Sequence, residues 1–324
     1  MENQIRRIGI LTSGGDAPGM NSAIRAAVRT CCLHNVIPVG IYRGYNGLIY
    51  SDVKELTSDS VAGLNSKGGT MLYTARSQEF MTEEGQNRAV TTCRYLGIDG
   101  LIAIGGDGTF RGARALCAKG VNTVCVPATI DNDIACTSYS IGSDTAANTA
   151  IEIIDKLSDT MQSHERCSVV EVMGRHAGYL ALYVGMSTGA TSILLPEHAF
   201  DFEKDVVERI RKGKYHGKRH FLIIVAEGVG RTSEIAQRIE QEMGIETRVS
   251  IIGHVQRGGA PSARDRSMGT RMGHRAVEEL IAGNSNLVVC YREYKITTVP
   301  IEEALQMKKT LDPYMLQVAN DTYM

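Results

Sequence analysis

Short apolar runs rich in β-branched residues alternate along this chain with longer stretches in which apolar residues recur at helical spacing. Short runs bounded by glycine, proline or polar residues are typical of buried strands. The predicted strands are Arg7–Thr12, Pro38–Tyr42, Gly100–Ile104, Thr123–Val126, Cys167–Val172, Thr191–Leu195, Phe221–Ala226, Arg248–Ile252 and Leu287–Cys290.

The longer stretches predict helices over Pro18–Cys32, Thr109–Lys119, Asp144–Met161, Phe202–Arg211, Arg231–Met243 and Ser262–Ile281. Pro18 suits a first-turn position, and Ser143 and Ser262 suit N-caps. Strands that alternate with helices predict right-handed βαβ units, parallel sheets and therefore an α/β fold. Because the strand–loop pattern starts again near Tyr139–Gly142, we expect a domain boundary there.

Glycines and aspartates follow two of the predicted strands directly, in the segments Gly105–Thr109 and Thr129–Asp133. A strand that ends in glycines exposes backbone N–H groups that phosphates can approach, because no Cβ stands in the way. Ligands of open α/β sheets bind at these strand ends. Glycines for phosphate, together with carboxylates for Mg²⁺ and a hydroxyl group, indicate phosphoryl transfer.

A third junction of strand, glycines and helix, Thr12–Asn21, lacks the Lys-Ser/Thr pair of a P-loop. Tight turns alone would explain one glycine loop, whereas two loops, each with an adjacent aspartate, favour phosphate binding. The spacing of Gly106, Gly108 and Gly112 loosely resembles a dinucleotide fingerprint, so an NAD(P)-dependent oxidoreductase is a second hypothesis. Asp131 follows at about the distance of that fingerprint's acidic residue, but its Asp-Asn-Asp cluster suits metal or proton chemistry. A catalytically inactive sugar-phosphate sensor would have lost Asp131, which is present.

The composition narrows the choice of partners. The chain has 324 residues, 43% of them apolar, and its 35 Lys and Arg nearly balance its 36 Asp and Glu. A net charge of −1 supplies no basic surface for nucleic acid or for a membrane. Apolar runs such as Phe221–Ala226 are too short to cross a bilayer. Scattered cysteines and an N-terminus without a visible signal peptide predict a cytoplasmic protein with reduced thiols.

Five motifs in order then carry a family resemblance over essentially the whole length: Gly14–Asn21, Gly105–Thr109, Thr129–Asp133, Met173-Gly174-Arg175 and Gly253–Gly259. The chain resembles the bacterial ATP-dependent 6-phosphofructokinases. The resemblance implies two Rossmann-like three-layer domains with mostly parallel sheets. The larger, nucleotide-binding domain would comprise residues 1–141 and about 258–307. The smaller, sugar-phosphate-binding domain would comprise residues 142–257 and about 308–324.

The resemblance also implies an activity, the transfer of the ATP γ-phosphoryl group to the 1-hydroxyl of fructose 6-phosphate in glycolysis. Asp131 would accept the proton of that hydroxyl, and Thr129 and Asp133 would orient the site. Arg76 and Arg175 would neutralise charge on the transferring group. The implied nucleotide-binding residues are Gly15, Arg76, Ser77, Gly106, Asp107, Gly108 and Thr109, with Asp107 as the Mg²⁺ ligand.

For the sugar phosphate, the resemblance implies a second set of residues. Thr129, Asp131, Met173, Gly174, Arg175, Glu227, His254 and Arg257 would bind it within one subunit. Arg166 and Arg248 would reach in from a neighbouring subunit, because this family shares active sites across subunit interfaces. The implied assembly is a homotetramer.

Two departures from the family pattern affect donor choice and regulation. Pyrophosphate-using members usually have Asp where this chain has Gly108 and Lys where it has Ala128. Gly108 favours ATP over a pyrophosphate-dependent phosphotransferase, whereas Ala128 departs from the glycine that most ATP-using members have there. The implied effector contacts Arg25, Arg29 and Lys218 are present. Ser58, Ser158, Thr191 and His216 replace the family's Arg, Arg, Glu and Lys, so the effector set is depleted.

Overall fold

The computed structural model describes residues 5–323. Residues 1–4 and residue 324 lie outside that range. The prediction about a signal peptide falls partly on residues 1–4. In the first part of the chain the elements are β1 (Arg7–Ser13), α1 (Met20–Leu33), β2 (Ile37–Ile41), α2 (Tyr45–Tyr50), β3 (Val53–Glu55), α3 (Glu83–Tyr95), β4 (Gly100–Gly105), α4 (Asp107–Cys117), β5 (Thr123–Pro127) and α5 (Ser143–Ser163).

The remaining elements are β6 (Cys167–Val172), α6 (Tyr179–Ser187), β7 (Ser192–Leu194), α7 (Glu208–Tyr215), β8 (Phe221–Ala226), α8 (Thr232–Met243), β9 (Thr247–Ile251), α9 (Ala263–Ile281), β10 (Leu287–Arg292), β11 (Lys295–Pro300), α10 (Ile301–Gln306) and α11 (Pro313–Asp321). They form two compact units. The first unit runs up to Thr129 and also contains Ile134–Thr145 and Arg257–Lys309. The second contains Ile130–Asp133, Ala146–Gln256 and the chain from Thr310 onward.

A seven-stranded sheet in the order β11-β10-β5-β4-β1-β2-β3 forms the centre of the first unit. Its five central strands are parallel, and only the edge strands β3 and β11 run antiparallel to their neighbours. Leu101 and Ala103 of β4 belong to the core cluster that includes Val90 of α3 and Phe110 of α4. Because side chains alternate along a strand, Ile102 points to the opposite face of the sheet.

The second unit has a four-stranded sheet in the order β7-β8-β6-β9, and all its paired strands are parallel. Its core joins Val169 and Ile223 of the sheet to Val206, Ile210 and Ile239 of the flanking helices. The predicted α/β fold with mostly parallel sheets is therefore confirmed.

Several local predictions were wrong in detail. Pro18 precedes α1, which begins at Met20 with Gly19 as its N-cap. Ser143 is the first residue of α5 rather than its cap, whereas Ser262 does cap α9 by accepting a hydrogen bond from Asp265 N. The helix predicted over residues 202–211 divides into a π-helical turn, Glu203–Val207, and α7. Within residues 5–323, no helix is both long and apolar enough to cross a membrane.

Candidate active site

Two glycine loops leave neighbouring parallel strands of the first unit at the same edge. Ser13, the last residue of β1, lies in register with Gly105, the last residue of β4. A Cβ on Gly105 would lie 2.4 Å from Ser13 O and 2.3 Å from Thr109 Oγ1, so glycine is required there. Thr109 is buried and donates from Oγ1 to Ser13 O over 3.0 Å, which holds the two loops together.

The first turn of α4 is built for an anion. The helix begins at Asp107, and its N-cap Gly106 has no side chain that could cap it. Asp107 and Gly108 are exposed, and a Cβ added to Gly108 would meet no atom within 4 Å. The N-terminus of a helix carries partial positive charge and is a common binding site for phosphate. This turn therefore has both the charge and the room for a polyphosphate.

Gly14–Gly19, the loop after β1, is fixed by contacts inside the first unit. Gly14 has a positive φ of 87°, and its carbonyl accepts a 2.7 Å hydrogen bond from Thr74 Oγ1. Arg257 donates from Nη1 to Asp16 O over 3.0 Å and lies against Gly15. Arg257, predicted to bind the sugar phosphate with His254, thus contacts the glycine loop, and His254 belongs to the second unit.

The donor set suits Mg²⁺ brought in with a nucleotide. Within residues 5–323, no group of three or more His, Cys, Asp or Glu side chains could hold a metal by itself. Mg²⁺ is usually held by one or two carboxylates together with substrate phosphates. A single exposed carboxylate, Asp107, at the N-terminus of a helix fits that mode. Of the other predicted nucleotide contacts, Arg76 is exposed and Ser77 caps a short turn by accepting from Phe80 N over 3.1 Å.

The Thr129–Asp133 turn follows β5. Ala128 N donates to Gly105 O over 2.9 Å, and Thr129 O accepts from Ser140 Oγ over 2.8 Å, so the turn starts from a fixed point. Asp131 is 3% exposed, whereas Asp133 is exposed. Asn132 has a positive φ of 48°, a conformation that asparagine tolerates better than most residues.

At the carboxyl edge of the second sheet, β6 and β8 bring three predicted residues together. Glu227 Oε2 accepts from Gly174 N over 3.1 Å and from Arg175 N over 3.0 Å. Gln256, a buried residue that sequence reasoning had not singled out, accepts from Met173 N over 3.0 Å. Its only signal in the sequence was its place in the Gly253–Gly259 motif. Glu227 and Gln256 therefore fix the backbone that presents Arg175.

The remaining pair of arginines lies at the other end of the same sheet. Arg166 precedes β6, and Arg248 lies opposite Ser168 near the start of β6. Glu246, which sequence reasoning also missed, forms ion pairs with both, at 2.7 Å to Arg166 Nε. The hydrogen bond from Arg166 lowers the pKa of Glu246. β6 has six residues and is therefore about 20 Å long. Arg166 and Arg248 at its start are thus too far from Arg175, beyond its end, to contact the same ligand within one chain.

Comparison with known proteins now decides the family. The family described as Phosphofructokinase matches residues 7–280. The chain belongs to the phosphofructokinase family. A Brevibacillus brevis protein named ATP-dependent 6-phosphofructokinase is 51% identical over 315 residues, which are 97% of this chain and 98% of that one. Relatives of the same name from Clostridium tetani and Bacillus velezensis are 50% and 49% identical, covering 97% and 98% of this chain and 98% and 99% of their own.

Solved structures of phosphofructokinases are also similar to this chain. The Pichia pastoris phosphofructokinase in the T-state is 34% identical with a TM-score of 0.90, and the match covers all of this chain and 38% of that one. The Saccharomyces cerevisiae enzyme is also 34% identical, with a TM-score of 0.87 over 98% of this chain and 48% of its own. A pyrophosphate-dependent phosphofructokinase from Marinobacter aquaeolei, 21% identical with a TM-score of 0.86 over 96% of this chain and 86% of that chain, shows the shared fold.

The predicted effector residues of this phosphofructokinase fall in different units. Arg25 and Arg29 lie four residues apart on α1 in the first unit, so they share a helix face. Lys218, in the second unit, donates to Thr191 Oγ1 over 3.2 Å. Burial lowers the pKa of Lys218. A lysine that already bonds to a buried hydroxyl is less available for an anionic effector.

Proposed function

We propose that this phosphofructokinase transfers the γ-phosphoryl group of ATP to the 1-hydroxyl of fructose 6-phosphate, giving fructose 1,6-bisphosphate and ADP in glycolysis. The observation that carries the proposal is the near 50% identity, over 97–98% of the chain, to bacterial proteins named ATP-dependent 6-phosphofructokinase. We therefore also propose that the protein acts in the cytoplasm, where glycolysis takes place.

In the proposed reaction, the Gly106–Thr109 backbone and Gly15 bind the nucleotide phosphates. Asp107 would hold the Mg²⁺ that accompanies them, and this ion would neutralise phosphate charge. Arg76 and Arg175 would do the same for the transferring group, since a guanidinium donates bidentate hydrogen bonds to phosphate oxygens. The buried helix–loop contacts of Thr109 support a fixed phosphate position.

Asp131 is the proposed proton acceptor for the sugar's 1-hydroxyl, with Thr129 and Asp133 orienting it. Phosphoryl transfer depends mostly on positioning and electrostatics, so an ordinary carboxylate is sufficient as a base. The support is the location of Asp131, buried in a turn that begins from the fixed Thr129 carbonyl. The proposed sugar-phosphate contacts on the same chain are Met173, Gly174, Arg175, Glu227, His254 and Arg257.

The proposed donor is ATP rather than pyrophosphate. The open space at Gly108 supports this choice, because an acidic side chain at that position would crowd and repel an inner phosphate. Ala128, the second position that differs in pyrophosphate-using members, is buried and pairs with Ile141, so it does not share the open space of Gly108.

We also propose a homotetramer in which Arg166 and Arg248 serve a neighbour's site. Two observations support sharing. Arg166 and Arg248 lie at the amino end of the second sheet, opposite Arg175 and Glu227. Arg248 also lies on the edge strand β9 beside the exposed apolar residues Val249, 38% exposed, and Ile251, 61% exposed. Exposed apolar side chains on an edge strand are typical of an interface.

The test is an assay of fructose 1,6-bisphosphate formation from fructose 6-phosphate, with Mg-ATP and Mg-pyrophosphate run in parallel. We expect turnover with ATP and little with pyrophosphate. Equal or better kcat/KM with pyrophosphate would replace the ATP proposal by the pyrophosphate-dependent one. Absence of sugar bisphosphate with both donors would reject the function.

A further inference from the structure

Asp265 is a fully buried carboxylate in the first turn of α9, and its two oxygens accept four hydrogen bonds. Oδ1 accepts from Tyr139 OH over 2.5 Å and from Gly142 N over 2.7 Å. Oδ2 accepts from Thr145 N over 2.9 Å and from Thr145 Oγ1 over 2.5 Å. Burial raises the pKa of Asp265, and hydrogen bonds from Thr145, Tyr139 and Gly142 oppose the rise. Because the donors surround both oxygens, this carboxylate fixes the segment 139–145.

The starts of α5 and α9 are locked to each other by reciprocal contacts. Asp265 accepts the Thr145 N–H in the first turn of α5, where a negative charge also complements the helix dipole. In the other direction, Ser262 N donates to Thr145 Oγ1 over 2.9 Å, and Ser262 Oγ donates to Asp144 Oδ2 over 2.6 Å. Ser262 Oγ also accepts from Asp265 N over 3.2 Å, which caps α9.

The segment held by Asp265 in turn holds the start of the proposed catalytic turn. Tyr139 and Gly142 flank Ser140 and Ile141 in the chain. Ser140 Oγ donates to Thr129 O over 2.8 Å, and Ile141 N donates to Pro127 O over 3.1 Å. Thr129 stands two residues before the proposed base. A displacement of segment 139–142 would therefore be passed through Thr129 to the turn that carries the base.

The same segment packs on the glycine loop after β1. A Cβ on Gly142 would lie 2.6 Å from the Ala17 Cβ. A Cβ on Gly19 would lie 2.7 Å from Ile141 Cγ2 and 3.1 Å from the Asp265 Cβ. One buried carboxylate thus lies against the glycine loop after β1 and holds the segment that fixes Thr129.

We propose that Asp265 is a positioning residue for phosphoryl transfer, which holds the Thr129 end of the catalytic turn and the Gly14–Gly19 loop in one arrangement. The inference rests on the proposed function. Its physical reason is that this reaction gains mostly from alignment, and a displacement of about 1 Å can cost about 100-fold in rate. Asp265 is fully buried, so it would act through its partners Tyr139, Gly142 and Thr145 rather than on a reactant.

The test compares Asp265→Asn with Glu279→Gln. Both residues are buried acids on α9, but Glu279 bonds to Arg275 and Asn284, at the far end of the helix. In Asp265→Asn an NH2 group replaces one of the two carboxylate oxygens. Because an NH2 group cannot accept, the two hydrogen bonds to that oxygen are lost while the size of the side chain stays the same. We expect kcat to fall about 10- to 100-fold in Asp265→Asn, with both KM values within about threefold of wild type. Glu279→Gln should lower Tm and keep kcat within about twofold.

Hydrogen exchange of the Ala128 and Ile141 amides gives a readout that does not depend on activity. We expect faster exchange in Asp265→Asn and unchanged exchange in Glu279→Gln. Wild-type kcat per folded subunit with wild-type exchange in Asp265→Asn would overturn the proposal. Equal losses of kcat in the two variants would also overturn it, because they would indicate general destabilisation. An inactive wild-type protein would reject the proposed function. The exchange rates would still show whether Asp265 holds the segments that contain Ala128 and Ile141.

Should Asp265→Asn fail to fold, Tyr139→Phe and Thr145→Val decide the question. Each removes one hydroxyl donor to Asp265 and keeps the carboxylate, and Thr145→Val also removes the acceptor of the Ser262 N–H. We expect kcat to fall several-fold in each and further in the double variant. Wild-type kcat in the double variant would overturn the proposal.

Discussion

At the scale of single residues, Asp131 carries the chemical part of the proposal. It is buried in a turn that also contains the exposed Asp133, so neighbouring carboxylates in one short turn have different surroundings. The sequence predicted the turn and its position after a strand. It could not predict which carboxylate is buried, because burial depends on residues far away in the chain.

The first prediction is that Asp131→Ser lowers kcat about 10²- to 10⁴-fold, the usual loss on removing a general base. The KM for ATP should change little, because the phosphate-binding loops remain. Steady-state kinetics measures both values, and ATP titration of the variant checks that the nucleotide still binds. A variant that keeps most of its kcat would remove Asp131 from the role of base.

A second prediction concerns Glu246, whose pKa is lowered from 4.5 by the hydrogen bond from Arg166 and by the nearby Arg248. A carboxyl whose pKa is lowered in the folded state adds stability above its ordinary pKa, and this stability is lost as the pH falls through the folded value. Glu246→Gln should therefore have a lower Tm than wild type at neutral pH. The difference should disappear in acid, well below pH 4.5. A constant difference from neutral to strongly acid pH would show that the ion pairs do not contribute.

At the scale of elements, the sequence predicted the buried parallel strands well because their apolar runs are continuous. β6 and β8 have the predicted bounds. The edge strands β3 and β11 were missed, since half-exposed strands lack such runs. Glu246 and Gln256 were missed for another reason. Their importance comes from contacts with residues 80 or more positions away, Arg166 and Met173, which no local pattern reveals.

The third prediction tests the first turn of α4. Gly108→Asp should fold normally, because a Cβ there meets no atom within 4 Å. It should lower kcat/KM for ATP by about tenfold or more, since a carboxylate would repel an inner phosphate at a helix end that attracts anions. Gly108→Asn is the matched control, with the same size and no charge, and should lose much less. Equal losses in the two variants would indicate crowding rather than charge, and unchanged ATP kinetics in Gly108→Asp would remove Gly108 from donor selection.

At the scale of the whole molecule, the proposal requires subunits to share sites. The fourth prediction is that Asp131→Ser and Arg248→Ala subunits, each nearly inactive alone, regain activity when mixed. A hybrid interface can combine an intact Asp131 from one subunit with an intact Arg248 from the other. Activity after mixing, unfolding and refolding together measures this. No recovery, or a fully active monomer in sedimentation-coupled assays, would contradict the shared site.

The fifth prediction, also at the scale of the whole molecule, is that effectors regulate this protein weakly. The basic residues that could replace the missing effector arginines already have partners in the second unit. Arg219 pairs with Glu165, Lys214 donates to Met243 O, and Lys212 lies over the Tyr323 ring. A weakly bound effector produces weak coupling between sites. Millimolar phosphoenolpyruvate or ADP should therefore change the rate at sub-saturating fructose 6-phosphate by less than about twofold. A strong sigmoidal shift would show that the effector site works.

Phosphoryl transfer from ATP to the sugar is tested most directly by ³¹P NMR of the wild-type protein with Mg²⁺, ATP and fructose 6-phosphate. We expect the ATP γ-phosphate signal to decline while a phosphate ester at C1 of the sugar grows in equal amount, together with ADP. Release of inorganic phosphate with the sugar unchanged, or esterification of a different hydroxyl, would contradict it.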